Sequence, residues 1–300
     1  MADPEQLTEN VYYFNSYPTT GIAVTSKGVI CIDGPMRPTQ AYQWREFIRS
    51  KGTLKYQIVS EHHQDHVASG WFLEPELIIT SEVTAAEFGK SLVSREAALQ
   101  TFEEYDPGFD TRYPDVPAKY EIRQPDIVYR DRLHLSLGDR RFVIFMAPGH
   151  TRGNSVVHAV DDRVAFVSDL LGLAFHSADV WGWFATLGTL EALDVDWYVV
   201  GHGAPVSRER ISQVRADLLG TVQRARELRE RGVTREEFIR QGATTVFAER
   251  DRSGADFPER MAKRHEMLQQ RGLANLYDYL SEHPSGPSRP HQDEEFPIVF

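Results

Sequence analysis

The sequence predicts an α/β fold built on two β-sheets and followed by a helical C-terminal region. Three observations carry this expectation. Short runs rich in β-branched and aromatic residues open the chain, a second series of such runs occupies residues 126–201, and from Ser207 the apolar residues recur at helical spacing instead.

Taken in order, VYYF (11–14), GIAVTS (21–26) and KGVICIDG (27–34) read as strands separated by Gly-bearing turns. A helix follows over Thr39–Ser50, where Tyr42, Trp44, Phe47 and Ile48 fall near helical spacing and Gly52 is a stop signal. YQIVS (56–60) is the next strand and runs directly into a histidine cluster. Residues 102–120 scatter Phe102, Tyr105, Phe109, Tyr113 and Tyr120 among Pro, Gly and Asp, which reads as a loop or lid. The second strand series is DIVYR (126–130), RFVIFMA (141–147), SVVHAV (155–160), VAFVSD (164–169) and WYVVG (197–201).

Beyond it, residues 207–232 place Ile211, Val214, Leu218 and Leu219 on one helical face, with Glu227 and Arg231 spaced as a charge pair. Thr234 with Glu237 is a capping-box signature for a second helix, and a third is expected over Pro258–His283. The arginines of this region alternate with acids, the pattern of a solvated helix face rather than of a phosphate-binding patch. No solenoid-length repeat and no linker precede the helices. The expected organisation is therefore a core at 1–205, a helical extension packed on the same domain at 206–283, and a polar tail at 284–300 free to pack loosely or to reach a neighbouring subunit of a homo-oligomer.

Composition narrows the function classes. The 300 residues are 41% hydrophobic and 26% charged, the profile of a globular chain with a sizeable core. The N-terminus lacks a basic segment followed by an apolar run, and no stretch approaches the roughly 18 apolar residues of a membrane span, so a cytoplasmic location and no membrane partner are expected. A net charge of −11 opposes a polyanion, which argues against nucleic acid. The single cysteine, Cys31, excludes an internal disulfide, a multi-thiolate zinc site and an iron–sulfur cluster, and its place in GVICIDG suits a small buried hydrophobe.

The chemistry concentrates in Ser60–His66, S-E-H-H-Q-D-H, at the end of a predicted strand. Alternation along that strand sends Glu61 and His63 one way and His62 the other, while Asp65 and His66 turn back towards the same cleft. Imidazole nitrogen and carboxylate oxygen are the donors of catalytic zinc, iron and manganese sites. His150 in APGHTRG, Asp169 in VAFVSDLL and His202 in VVGHGAP each stand just past a strand-like run, where rigid elements hold a ligand firmly. Unpaired ionisable groups are costly to bury, so packing offers no reason for this cluster. His62 reads as a non-ligand or a hydrogen-bond partner of one. His134, His158, His176, His265, His283 and His291 read as ordinary surface or core histidines.

These motifs resemble those of the metallo-β-lactamase superfamily over roughly residues 10–205. Ser60–His66 is similar to its HxHxDH motif, His150 to the histidine of GHTxG, Asp169 to its bridging aspartate, His202 to its final GH histidine, and Asp33 in CIDG to the aspartate ending an early strand. The resemblance implies a four-layer αβ/βα sandwich with a C-terminal helical extension. It also implies two metal ions: Glu61, His63 and His150 on the first, Asp65, His66 and His202 on the second, and Asp169 between them.

One position departs from the pattern. Glu61 replaces the first motif histidine, giving four imidazoles and three carboxylates where the zinc hydrolases carry five and two. An anionic, harder donor favours iron or manganese, and the same tally resembles the diiron branch of the superfamily, including the platensimycin-type diiron monooxygenases of antibiotic and other secondary-metabolite biosynthesis. The expectation is thus a non-haem diiron monooxygenase with two Fe ions. It would hydroxylate a lipophilic, possibly terpenoid small molecule with O₂, Glu61 and Asp169 acting catalytically by stabilising the oxidised centre, and electrons arriving from a separate donor such as a ferredoxin and its reductase. The competing reading is a dinuclear zinc hydrolase of an ester, thioester or lactam, and two zinc or manganese ions are the alternative to iron at the centre; a non-catalytic binding module fits less well, since every ligand position holds a competent donor. Phe175, Trp181, Trp183 and Phe184, after Asp169, are either core or the apolar wall of a substrate pocket.

Overall fold

A computed structural model describes residues 3–91, 95–172, 175, 179–245 and 259–283. Contacts divide the chain into two compact units, Met1–Ala147 with Gly153–Leu171 and Asp194–Arg208, and Pro148–Arg152 with Gly172–Leu193 and Glu209–Phe300.

The first unit contains both expected sheets. One has seven strands in sequential order: β1 (Glu5–Gln6), β2 (Val11–Phe14), β3 (Thr20–Thr25), β4 (Gly28–Ile32), β5 (Leu54–Ile58), β6 (Leu77–Ser81) and β7 (Ile127–Tyr129). Hairpins join β1 to β4 antiparallel, and crossovers make β4 to β7 parallel. The other has five strands, β8 (Arg132–Leu137), β9 (Arg140–Met146), β10 (Ser155–Ala159), β11 (Val164–Ser168) and β12 (Trp197–Val200), antiparallel except for the parallel β11–β12 pair. Ile30, Ile32 and Ile58 of the first sheet meet Ile144, Val157 and Phe166 of the second in one buried cluster, so the sheets pack face to face. Their period-2 neighbours Val29 and Cys31 point to the other side, which is why β4 reads as a continuous apolar run.

Helix α1 (Pro38–Lys51) covers that outer face with Ala41, Trp44 and Ile48. Pro38 in its first turn needs no N–H partner, and Gly52 closes it by donating to the Ile48 carbonyl (3.0 Å). Trp44 donates its indole N–H to the Cys31 sulfur (3.4 Å), so the cysteine is the small buried residue expected. Short α2 (Gln64–Val67) and α3 (Gly70–Leu73) follow β5, and α4 (Glu82–Ser91) follows β6.

Residues 102–120 differ from expectation. They form not an open loop but the end of α5 (Arg95–Tyr105), then α6 (Phe109–Arg112) and α7 (Val116–Lys119). Phe102, Phe109, Val116 and Tyr120 are buried together with Phe72. Gly and Pro there mark helix boundaries: Gly108 is left-handed (φ 74) before α6, and Pro117 lies in the first turn of α7.

The second unit is helical: α8 (Val180–Ala192), α9 (Arg208–Glu230, from its second residue), α10 (Arg235–Thr245) and α11 (Glu259–Glu282). Asp179 caps α8 by accepting the Gly182 N–H (3.0 Å), and Thr234 Oγ1 accepts the Glu237 N–H (3.3 Å) at the start of α10, as the capping signature implies. Arg235 and Asp278 tie α10 to α11 through paired bonds of 2.8 Å. Arg231 bonds the Glu227 backbone carbonyl (3.3 Å) rather than its carboxylate. Phe175 and Trp183 are fully buried against each other, while Trp181 and Phe184 lie under the guanidinium groups of Arg226 and Arg215. These contacts are the packing alternative for that aromatic stretch. The expected tail at 284–300 lies outside the described residues.

Candidate metal centre

The site grows from the carboxyl ends of β4, β5, β11 and β12. At the end of β4, Asp33 adopts a left-handed conformation (φ 55) and donates its N–H to the Ile58 carbonyl of β5 (2.8 Å). Its carboxylate is thereby aimed at the segment following β5. Oδ1 accepts the Ser60 N–H (2.8 Å), and Oδ2 accepts the Ser60 hydroxyl (2.7 Å) and pairs with His66 Nδ1 (3.0 Å). The Ser60 oxygen also bonds the Ser168 hydroxyl (2.8 Å), which accepts from Asn154 Nδ2 (3.4 Å). A buried polar layer therefore joins the two sheets directly beneath the cluster, all four of its side chains at most 4% exposed.

β5 ends at Ile58, and His62 and His63 form a bend rather than continuing the strand. The expected alternation is thus replaced by turn geometry. His63 is the N-cap of α2, and His66 comes back one turn later with its N–H on the His63 carbonyl (2.9 Å). His62 stacks on the His63 ring (4.9 Å between centroids) and belongs to none of the potential ligand groups among the described residues.

Within the first unit the structure brings six of the seven motif residues together: Asp65, His66 and His202 form one potential ligand group, Glu61, His66 and Asp169 another, and His63 stands beside Glu61, while His150 belongs to the second unit. Within each group one donor atom per residue lies within 4.8 Å of the others. Glu61 is fully buried, with Oε2 3.1 Å from His63 Nδ1 and Oε1 3.4 Å from His66 Nε2. Asp169 faces both His66 Nε2 (3.6 Å) and His202 Nε2 (3.3 Å), and Asp65 lies 3.4 Å from His202 Nε2. Asp169 opens a 3₁₀ turn after β11, preceded by Ser168 in the left-handed region (φ 52). Gly201 leaves room for it, since a Cβ there would sit 1.9 Å from Asp169 Oδ1.

Charge explains how so many ionisable groups share one place. Burial works against a charged His63, but Glu61, with Asp65 and Asp169 behind it, overcomes this and raises its pKa to about 9. Burial likewise opposes charge on His202, and Asp169 and Asp65 carry its pKa to about 10. His66 is raised well above the ordinary imidazole value against its own burial by Asp33 and Asp65. Asp169, which burial alone would push up, is held well below the usual carboxylate range by His202 and His66. Protons here balance the carboxylates where cations can. The set fits a divalent metal pair: nitrogen and oxygen donors alone, converging, largely shielded from water, and anionic enough to offset the ions. Metal uptake must release the imidazole protons.

None of the other histidines enters a ligand group among the described residues. His134 is exposed on β8, His158 is buried in β10, and His283 stacks on Tyr279 (4.4 Å). His176, His291 and the side chain of His265 lie outside the described residues. Sequence reasoning missed Asn154, Ser168, Tyr17 and Thr19. Tyr17 lies over His202 with ring centroids 4.7 Å apart. Small polar residues and one tyrosine far upstream of the motif carry no spacing signal that would have marked them.

Residues 21–202 match the family model of the metallo-beta-lactamase superfamily. Among solved structures, the chain is similar to a metallo-beta-lactamase from Pontibacter korlensis, with a TM-score of 0.56 and 16% identity over 73% of this chain and 99% of that one. It is also similar to a stereoselective inverting sec-alkylsulfatase from Pseudomonas sp., with a TM-score of 0.66 and 12% identity over 93% of this chain and 50% of that one. The chain thus spans half the length of the alkylsulfatase, and at these identities both likenesses concern the fold. No curated protein matches the chain.

Proposed function

The chain belongs to the metallo-beta-lactamase superfamily, and on that premise we propose that its buried cluster holds two iron ions and serves a non-haem diiron oxygenase. Glu61 carries the reading. A fully buried carboxylate stands where the superfamily pattern has a histidine, with one oxygen beside His63 and the other beside His66. Glu61, His63 and His150 would hold the first ion, Asp65, His66 and His202 the second, and Asp169, which faces His66 and His202, would lie between them. With Asp65 and Asp169, Glu61 supplies three negative charges to the centre, where the zinc hydrolases supply two. The extra anion stabilises higher positive charge at the ions, which favours iron or manganese over the family's usual zinc. An iron pair bound there supplies the redox chemistry of dioxygen reduction. The protein's own part is to hold the donors in place: Asp33 holds His66 through Nδ1 and leaves Nε2 facing the cluster, and the Ser60–Ser168–Asn154 layer fixes Asp33 in turn.

The substrate on this reading is a lipophilic small molecule, proposed from the likeness of the donor set to that of the secondary-metabolite hydroxylases. Electrons reach the site from outside these 300 residues, whose single buried Cys31 offers no thiolate set for an iron–sulfur cluster. A second reading, a dinuclear zinc hydrolase of an ester, thioester or lactam, is favoured by the likeness to the alkylsulfatase. The Glu61→His exchange separates the two. Loaded with equal ferrous iron and zinc under anaerobic conditions, the variant should show a higher zinc-to-iron ratio than the wild type, and its iron midpoint potential should rise. An unchanged ratio and potential would remove the support for iron and leave the hydrolase.

A further inference from the structure

We propose that Tyr17 and Thr19, on the connection between β2 and β3, are the positioning residues for His202, and that they set how tightly the ion of the Asp65–His66–His202 group is retained. The inference rests on the ligand set read above and not on the identity of the metal.

His202 is the most exposed of the four ligand imidazoles for which the structure gives a position, with 38% of its side chain open where that of His66 is at 0%. It sits past the end of β12 on a turn whose next residue, Gly203, is in the left-handed region (φ 116). A turn of this kind does not fix an imidazole by itself. His66 is oriented through its second ring nitrogen by Asp33. His202 is held by a different device, brought from the opposite sheet.

Thr19 donates its N–H to the Gly201 carbonyl (2.7 Å). Its hydroxyl donates to the Gly203 carbonyl (2.9 Å) and accepts the Gly203 N–H (3.1 Å). One side chain and its own amide therefore bind the residues on both sides of His202. At 3% exposure, Thr19 makes these bonds where water competes little. Tyr17 adds the remaining constraint, its ring lying on the imidazole at 4.7 Å with 39° between the planes. Tyr17 is anchored in turn, since its carbonyl accepts the Met36 N–H (2.8 Å) and its ring stacks on Tyr105 (5.2 Å). The backbone on each side of His202 and the face of its ring are thus set by two residues of a single short connection. A ligand supported in this way is fixed as well as its supports are, and loss of such support typically costs ~10–100-fold in metal affinity.

The test uses the full chain freed of metal and titrated with cobalt(II) against a competing chelator, with stoichiometry by elemental analysis. Thr19→Val removes the hydroxyl bonds to Gly203 at nearly constant volume, and Thr19→Ser keeps them. The expected result is that Thr19→Val retains the first cobalt ion at wild-type affinity, loses ~10–100-fold for the second, and is rescued by Thr19→Ser. Retention of the first ion shows that the variant is folded. Should Thr19→Val not fold, Tyr17→Leu, which removes the ring from His202 and leaves Thr19 in place, is expected to show the same selective loss. Two ions bound as tightly as in the wild type, or an equal loss of both from a folded variant, would overturn the proposal. A wild-type chain that takes up fewer than two ions would instead overturn the ligand set beneath it.

Discussion

Replacing Asp33 with asparagine alters the charge and the donor character of one atom at the end of β4 and leaves its shape. Oδ1 can still accept the Ser60 N–H (2.8 Å), which places the new NH₂ group where Oδ2 now meets the Ser60 hydroxyl (2.7 Å) and His66 Nδ1 (3.0 Å). Two hydrogen bonds to a charged acceptor are lost, each worth ~1.5–3 kcal/mol. His66 recovers part of this by presenting Nδ1 as an acceptor and carrying its proton on Nε2, where Glu61 Oε1 is 3.4 Å away. That tautomer suits the metal-free protein and is wrong for ligation, because Nε2 is the nitrogen that faces the cluster. The loss therefore falls mainly on the second ion, by ~10–100-fold in affinity, or about 1.4–2.7 kcal/mol. Competitive cobalt titration of the metal-free chain reads the two ions separately, and thermal denaturation of the same sample reads the fold. Equal affinities for wild type and Asp33→Asn at both ions would refute the assignment of Asp33 as the group that orients His66.

Other perturbations probe the rest of the centre. Asp169→Ala removes the carboxylate that faces both His66 and His202, and metal occupancy itself should fall, as elemental analysis after dialysis will show. Gly201→Ala places a Cβ 1.9 Å from Asp169 Oδ1, so the carboxylate must move and metal affinity should fall while the circular dichroism spectrum is kept. The pH response has a definite sign: His63 and His202 are raised from 6.5 to about 9 and about 10 in the metal-free fold, so their stabilising contribution is complete below pH 6.5 and lost as pH rises through those values. The melting temperature of the metal-free protein should therefore decline between pH 6.5 and about 10, while apparent metal affinity climbs over the same window. A flat metal-free melting profile across that range would contradict the imidazole–carboxylate pairing.

Much of this was legible in the sequence because backbone periodicity and side-chain chemistry coincide there. Ile30, Cys31 and Ile32 form a run buried on both faces, and Trp44 and Ile48 recur at helical spacing, so β4 and α1 announced themselves. Glu61, His63, Asp65 and His66 were conspicuous because buried ionisable groups have little reason to cluster without a ligand. Strand alternation does not orient them, since β5 stops at Ile58 and the chain bends at His62 and His63. The helices at 95–119 were hidden by Pro and Gly that cap them, signals that read equally well as loop. Thr19 was invisible for another reason. Its partners are the backbone atoms of Gly201 and Gly203, which any sequence would offer, and only the meeting of the two sheets brings them within reach.

Whether Glu61 turns a zinc-type cluster into a site for redox metal is decided by elemental analysis of the protein purified without added metal or chelator. Close to two iron or manganese ions per chain are expected. Two zinc ions per chain, with activity restored to the stripped protein by zinc alone, would contradict it.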